Sequence, residues 1–199
     1  TGAEWDFETI DSTFKAIRHI ALDEMGLNVY PTQLEVITSE QMLDAYSSIG
    51  MPLMYNHWSF GKSFLRDESM YKKGFSGLAY EIVINSDPCI CYIMEENSMT
   101  MQTLVMSHAA FGHNHFFKNN HLFQQWTVAN SILDYLQYAK NYIARCEERY
   151  GVEEVEKTLD AAHALRDQAV DKYTRPLKLD DIEIQKREMQ RLEYEQSQY

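Results

Sequence analysis

Residues 79–94 are Ala-Tyr-Glu-Ile-Val-Ile-Asn-Ser-Asp-Pro-Cys-Ile-Cys-Tyr-Ile-Met, and they carry the clearest strand signals in the chain. Two apolar runs, 79–85 and 89–94, flank a Ser-Asp-Pro sequence that is typical of a turn. The pattern predicts a β-hairpin over residues 79–94 and, with it, a small antiparallel sheet.

Glu81 is the acidic side chain within the first of these strands. Because side chains alternate between the two faces of a strand, Glu81 shares a face with Val83 and Asn85. A carboxylate in such an apolar run needs a partner if it is buried. We interpret Glu81 as an exposed strand position, with a functional role as the alternative.

Helical periodicity dominates the rest of the chain, and the fold class is therefore α+β and predominantly helical. The elements predicted before the hairpin are a helix over 6–26, a strand over 33–38, a short helix over 39–46 and an ordered aromatic loop over 50–61. After the hairpin, Asn97 or Ser98 can cap a helix that runs to about Phe111. Gly112 then stands where a left-handed helix cap is expected.

A long helical hairpin is predicted over residues 127–173. Two amphipathic helical stretches meet at Gly151, and a break of one residue implies that the helices pack antiparallel. Residues 179–199 are highly charged and predict a solvated helix. We therefore divide the chain into a domain over 1–178 and a charged helical extension over 179–199.

The charge balance disfavours several partners. Asp and Glu number 30 against 18 Lys and Arg, so the formal net charge is −12. An acidic protein without a basic patch repels nucleic acid and anionic membrane surfaces. No apolar run is long enough to cross a bilayer, so membrane insertion is not expected. The first residues lack a signal peptide and an initiating Met, which leads us to expect a cytoplasmic location and a piece of a longer protein.

The three cysteines are sparse and odd in number, which fits a reducing compartment. Cys89 and Cys91 form a C-x-C pair in an apolar strand, and no second pair exists to complete a zinc site. We interpret both as buried thiols.

The segment 107–121 contains four of the seven histidines and is the best candidate for chemistry. Imidazole is a common ligand for zinc and iron, so His108 and His113 are candidate ligands of a divalent metal. His108 falls on the apolar side of its helix and needs a partner, and the alternatives to a metal are a carbonyl or a carboxylate. The two residues are five apart, and an α-helix would turn them roughly 140° from each other. Their convergence therefore needs the chain to fold back at Gly112. Zinc-protease chemistry is disfavoured, because Ala109 occupies the position of the general base.

Other residues could complete or accompany this site. Glu147 and His163 lie on the predicted helical hairpin and could supply further metal ligands. Asp160 is three residues before His163, and we favour a structural hydrogen bond for that pair. Further candidates are His57, Trp58 and Asn114, although nothing marks the neighbouring Ser59 as an activated nucleophile.

Several ordered segments of the chain resemble the SpoVR family, named for stage V sporulation protein R. The segments that carry the resemblance are Tyr-Pro-Thr-Gln-Leu-Glu-Val-Ile-Thr-Ser-Glu-Gln-Met-Leu-Asp-Ala-Tyr (30–46), Met-Pro-Leu-Met-Tyr-Asn-His-Trp-Ser-Phe-Gly-Lys (51–62), Gly-Leu-Ala-Tyr-Glu-Ile-Val-Ile-Asn-Ser-Asp-Pro-Cys-Ile (77–90), Met-Glu-Glu-Asn (94–97) and His-Ala-Ala-Phe-Gly-His-Asn-His-Phe-Phe-Lys-Asn-Asn (108–120). The resemblance runs from about residue 3 to 178.

The resemblance implies that this chain corresponds to the amino-terminal part of proteins about twice as long or longer. It implies a role in spore cortex formation, or in a stress response in bacteria that form no spores, where a PrkA-type serine kinase is often encoded nearby. It supplies no reaction, because the molecular activity of the family is not established. The family pattern commonly has Ser at the position of His115, which favours His108 and His113 as ligands.

Two functions follow from these observations. The first is an interaction or regulatory module with a protein partner, indicated by the acidic charge and the aromatic loop 50–61. The second is a metal-binding domain, potentially a metal-dependent enzyme, that uses His108 and His113. The first is slightly favoured at this point, and the two are compatible.

Overall fold

The structure is a computed structural model and describes residues 5–75, 77, 80–166, 168 and 180–197. Its strands are β1 Thr32–Ile37, β2 Glu81–Ile84 and β3 Cys89–Met94. Its α-helices are α1 Phe7–His19, α2 Ser39–Ser47, α3 Trp58–Lys72, α4 Met99–Val105, α5 Asn114–Asn119, α6 His121–Trp126, α7 Ile132–Tyr150, α8 Val152–Leu165 and α9 Asp181–Ser197. Two π-helical segments, π1 Ile20–Glu24 and π2 Met106–His113, continue α1 and α4. The predominantly helical α+β class is confirmed.

The sheet has three strands in the order β1-β3-β2. β2 and β3 pair antiparallel, with Val83 opposite Cys91, so the predicted hairpin is confirmed. β1 pairs with β3 in parallel, with Leu34 opposite Cys91, so the sheet is mixed where a purely antiparallel one was expected. A hairpin is specified by its local turn. Parallel pairing of β1 with β3 needs a long connection instead, and here α2, α3 and β2 lie between the two strands in the sequence.

The helix predicted over residues 6–26 begins and ends as its sequence indicates. The Asp6 carboxylate accepts a hydrogen bond from the Thr9 N–H at 2.7 Å and caps α1. The helix widens into π1, where the Met25 N–H donates to the Ile20 carbonyl. Gly26 adopts a φ of 68°, which glycine tolerates without a steric penalty, and the helix stops there.

The hydrophobic core lies between β3, α1 and the α4–π2 helix. Its buried members are Ile10, Ala21, Cys91, Ile93, Val105, Met106, Ala109, Ala110 and Phe111. Small residues on π2 allow the helix to approach the sheet closely, and burial of each large aliphatic side chain contributes about 1.5–3 kcal/mol. π2 contacts both β3 and β2, so residues along its β2 side lie next to that strand.

The segment 50–61 is only partly the ordered loop that was predicted. Residues 58–61 form the first turn of α3, a 15-residue helix that the sequence patterns did not identify. None of its described residues is buried, so its apolar stripe is weak. By contrast, α2 begins with a capping box between Thr38 and Gln41, and its predicted position is confirmed.

The second half of the chain contains α7 and α8, which are separated by Gly151 with a φ of 89°. The predicted break is therefore confirmed, while antiparallel packing of the two helices stays a prediction. Residues 167 and 169–173 of the predicted hairpin lie outside the described residues. None of the helices in the described part of the chain is both long and apolar enough to cross a membrane.

The chain divides into two compact units, residues 1–163 and 164–199. Within the second unit, α9 begins at an Asp180 cap whose carboxylate accepts from the Glu183 N–H at 2.7 Å. Its apolar residues Ile182 and Met189 are exposed. The predicted charged helix is thus observed for residues 181–197, while residues 179, 198 and 199 lie outside the described residues.

Candidate functional site

The π-helical segment π2 brings His108 and His113 together. In a π-helix each N–H bonds the carbonyl five residues earlier, so residues five apart stack along the helix axis. The Asn114 N–H donates to the Ala109 carbonyl in this pattern. The two imidazole rings consequently lie with their centroids 4.3 Å apart.

The predicted role of Gly112 is wrong. Gly112 lies inside π2 and does not adopt a left-handed conformation, so the chain does not fold back there. A Cβ added at this position would lie 3.8 Å from the Ser107 carbonyl, which is ordinary contact. The 140° divergence expected for an α-helix disappears because the wider π turn aligns the two histidines.

Glu81 at the start of β2 completes a cluster with these two histidines. Its Oε1 lies 2.6 Å from His108 Nδ1. The side chain of Glu81 is only 17% exposed, so its interpretation as an exposed strand position is wrong. Of the three partners considered for His108, the structure shows a carboxylate, and the His108 side chain is 59% exposed, outside the core.

We call Glu81, His108 and His113 the open cluster. One potential ligand atom from each lies within 4.8 Å of the others. The cluster borders a cleft of about 490 Å³ whose other lining residues are Tyr80, Val83, Met101, Leu104, Val105 and Phe117. Two imidazoles and one carboxylate beside an accessible cleft are a donor set that zinc or iron(II) can use.

A second group of side chains joins the start of α3 to α8, and we call His57, Asp160 and His163 the joint cluster. His57 is the N-cap of α3, and its Nδ1 lies 2.6 Å from Ser59 Oγ. Its Nε2 lies 3.1 Å from Asp160 Oδ1. The side chain of His57 is 1% exposed, so both ring nitrogens are satisfied within the protein.

The α8 side of the joint cluster places Asp160 and His163 on the same side of the helix, as their spacing predicts. Asp160 also accepts a hydrogen bond from the Trp58 indole N–H at 2.7 Å. His163 Nε2 lies 2.6 Å from the Tyr55 hydroxyl, and its ring stacks 4.0 Å from that of His57. The predicted Asp160–His163 pair therefore bonds across to residues 55–59.

Glu147 and His163 were predicted as further ligands of the metal at His108, but the fold places them elsewhere. His163 belongs to the joint cluster, and Glu147 on α7 lines a separate cleft of about 870 Å³. This larger cleft is bordered by four carboxylates and five aromatic rings beside a single lysine. They are Glu35, Asp44, Glu147 and Glu156, then Tyr55, Trp58, Phe60, Phe64 and Tyr92, with Lys140.

Asn114 is a structural residue in this fold. Its side chain is fully buried, and its Oδ1 accepts from the Tyr30 N–H at 2.8 Å. Its Nδ2 donates to the Tyr30 carbonyl and to Thr32 Oγ1. Asn114 thereby fixes the end of π2, next to His113, to the chain that enters β1.

The remaining sulfur and imidazole groups have ordinary surroundings. Cys89 and Cys91 are fully buried, as predicted, and burial raises the pKa of the Cys89 thiol to about 11. The thiolate is the nucleophilic form of cysteine, so burial makes Cys89 a poor nucleophile at neutral pH. His115 Nδ1 contacts the backbone of Asn28, and His121 is exposed at the start of α6.

Sequence patterns missed Tyr55 and Ser59 as partners of histidines. Tyr55 lies 108 positions before His163, and no spacing rule connects them. Ser59 had a local signal, because a residue two positions after an N-cap is within reach of its side chain. The π-helix was also missed, since its residues continue the apolar pattern of α4 without interruption.

The sequence profile of the family described as SpoVR like protein matches residues 4–199 of this chain. The chain is 58% identical over 197 residues to the protein named "Uncharacterized protein YcgB" from Escherichia coli (strain K12). That alignment covers 99% of this chain and 38% of the relative, so the chain spans well under half of the relative's length. No solved structure matches the chain.

Proposed function

Given that the chain belongs to the SpoVR-like protein family, we propose that it forms a divalent-metal-binding domain with Glu81, His108 and His113 as ligands. The observation that carries the proposal is the convergence of one donor atom from each residue within 4.8 Å. Two histidines and one carboxylate leave coordination positions open for water or substrate, as in catalytic zinc and non-haem iron(II) sites.

The His108 and Glu81 donors need only a small rearrangement to hold an ion. Tetrahedral zinc with bonds of about 2.0–2.1 Å keeps its ligands about 3.4 Å apart. His108 Nδ1 and Glu81 Oε1 now lie 2.6 Å apart, at the distance of a hydrogen bond. A metal ion would replace the proton of that hydrogen bond and push the two atoms apart by less than about 1 Å. His108 can make this movement because most of its side chain is exposed.

The backbone around the donors is held by hydrogen bonds, which favours a preorganised metal site over a mobile surface ion pair. His113 is followed by Asn114, whose three hydrogen bonds fix the end of π2. Glu81 lies opposite Ile93 of β3 in the sheet. An ion in this position would act as a Lewis acid or activate a bound water at the cleft.

A spectroscopic titration with Co²⁺ tests the proposal. We expect the purified wild-type protein to bind one equivalent with the visible absorption of a histidine-ligated ion. Glu81→Gln and His113→Ala each remove a ligand, so each should weaken binding by more than about 100-fold, beyond the usual loss for a residue that only orients a ligand. His121→Ala removes an exposed histidine outside the cluster and should leave the affinity unchanged.

Two results would overturn the metal-binding proposal. One is a wild-type protein that binds no Co²⁺ or Zn²⁺ after metal is added back at neutral pH. The other is an equal loss of affinity in His121→Ala and His113→Ala, which would mean that binding is distributed over surface histidines. In either case, Glu81 and His108 form only a hydrogen bond.

A second candidate function is a cytoplasmic interaction or regulatory module in sporulation or the stress response, with a PrkA-type serine kinase as the partner. It is supported by the 870 Å³ cleft, whose lining among the described residues includes four carboxylates and a single lysine. Such a lining complements a basic segment of a partner protein, and aromatic rings can contact cationic side chains.

Binding of a purified PrkA-type kinase, measured against salt concentration, tests this second function. Asp44→Asn combined with Glu156→Gln removes two of the cleft charges and should weaken binding about tenfold at low salt. Glu8→Gln combined with Glu153→Gln changes the net charge equally at exposed positions outside the cleft and should have little effect. A kinase that forms no stoichiometric complex with the wild-type protein removes the support for this partner.

A further inference from the structure

We infer that the cleft beside the open cluster binds a medium-chain carboxylate, with the carboxylate on the metal and the alkyl chain along the cleft. This inference rests on the proposed metal site. The cleft has a volume of about 490 Å³, which falls within the range of sites for small molecules. The shape and chemistry of its lining select the ligand class.

The lining separates polar from apolar groups. Its charged or ionisable members are the open cluster and Tyr80, while the others are Val83, Met101, Leu104, Val105 and Phe117. The donor atoms of the cluster lie within 4.8 Å of one another, so the polar chemistry is concentrated in one place. A ligand that matches this lining has one polar head and an otherwise apolar body.

Leu104 supplies the surface on which an alkyl chain would rest. Its side chain is 62% exposed, although its neighbours Thr103 and Val105 are more buried. Tyr80, which also lines the cleft, is 50% exposed. Covering these side chains with methylene groups removes apolar area from water on both partners.

The charges of the site determine the head group. A divalent ion with Glu81 and two neutral histidines carries a net charge of about +1, which one carboxylate neutralises. No lysine or arginine lines the cleft among the described residues. Without the ion, Glu81 would repel an anion, so carboxylate binding must depend on the metal.

Octanoate and acetate are matched probes for this inference. With the Co²⁺-loaded protein, we expect octanoate to bind at least tenfold more tightly than acetate and to shift the Co²⁺ absorption. Each fully buried methylene strengthens binding by about fourfold, and the open cleft buries only part of the chain. The metal-free protein should bind neither probe.

Two leucine variants locate the alkyl chain. Leu104→Ala should reduce the octanoate affinity by about fourfold or more while leaving the acetate and Co²⁺ affinities unchanged. Leu122→Ala removes a side chain of similar exposure on α6, outside the cleft lining, and should change none of the three. Both positions are exposed, so neither variant should impair folding.

The outcomes separate the two proposals. A protein that binds no Co²⁺ contradicts the metal site itself. A protein that binds Co²⁺ normally but gives equal affinities for octanoate and acetate overturns only the ligand inference. Equal octanoate binding with and without metal, or an equal effect of Leu104→Ala and Leu122→Ala, also overturns it.

Discussion

The open cluster and the joint cluster use the same residue types, two histidines and one carboxylate, for different purposes. In the joint cluster, His57 is 1% exposed and both of its nitrogens contact side chains. In the open cluster, His108 is 59% exposed and stands at an apolar cleft with His113 beside it. The comparison teaches that residue type alone does not identify a site, because hydrogen bonds decide which donor atoms are already used.

The largest expected difference between the clusters is in stability. His57→Ala removes the N-cap of α3, leaves a cavity and strips a hydrogen bond from Asp160, so it should lower the free energy of unfolding by about 3 kcal/mol. His108→Ala removes an exposed side chain together with its hydrogen bond to Glu81, and should cost about 1 kcal/mol. Urea unfolding of the two variants measures the difference, and equal losses would contradict the structural role of the joint cluster.

Zinc should stabilise the protein through the open cluster only. At a free Zn²⁺ concentration of 100 times Kd, the free energy of unfolding should rise by about 2.7 kcal/mol. His163→Ala should keep this increase above its own metal-free baseline, whereas His113→Ala should lose it. The measurement is thermal unfolding with and without Zn²⁺. Loss of the zinc effect in His163→Ala would assign zinc binding to the joint cluster and contradict the comparison.

Gly112→Ala should have the smallest effect and tests how the open cluster is assembled. Because Gly112 lies within a helical backbone with room for a methyl group, alanine should raise the free energy of unfolding by up to about 1 kcal/mol and leave Co²⁺ affinity unchanged. Gly26→Ala, at a φ of 68°, is the matched control and should be destabilising. Loss of metal affinity in Gly112→Ala would mean that the two histidines converge only with a glycine at this position, and would contradict assembly by the π-helix.

Local sequence rules predicted the local parts of the fold. The hairpin around residues 86–88, the short helix α2 and the helix stop at Gly26 each depend on neighbours within a few positions. The segment containing His108 and His113 could also be identified, because clustered histidines are visible without a fold. α3 could not be identified, since its register depends on contacts with α2 and on a histidine cap that propensity rules do not anticipate.

The helical α+β class, the hairpin, the acidic charge and the histidine segment follow from composition and short-range periodicity, so they could be predicted before the fold was known. Three features depend instead on packing between distant residues: β1 pairs in parallel, π2 aligns two histidines, and Glu81 joins them while His163 and Glu147 do not. These arrangements depend on which face of each helix packs on the sheet. Glu81 and His108 are 27 positions apart, and packing of π2 beside β2 brings them into contact.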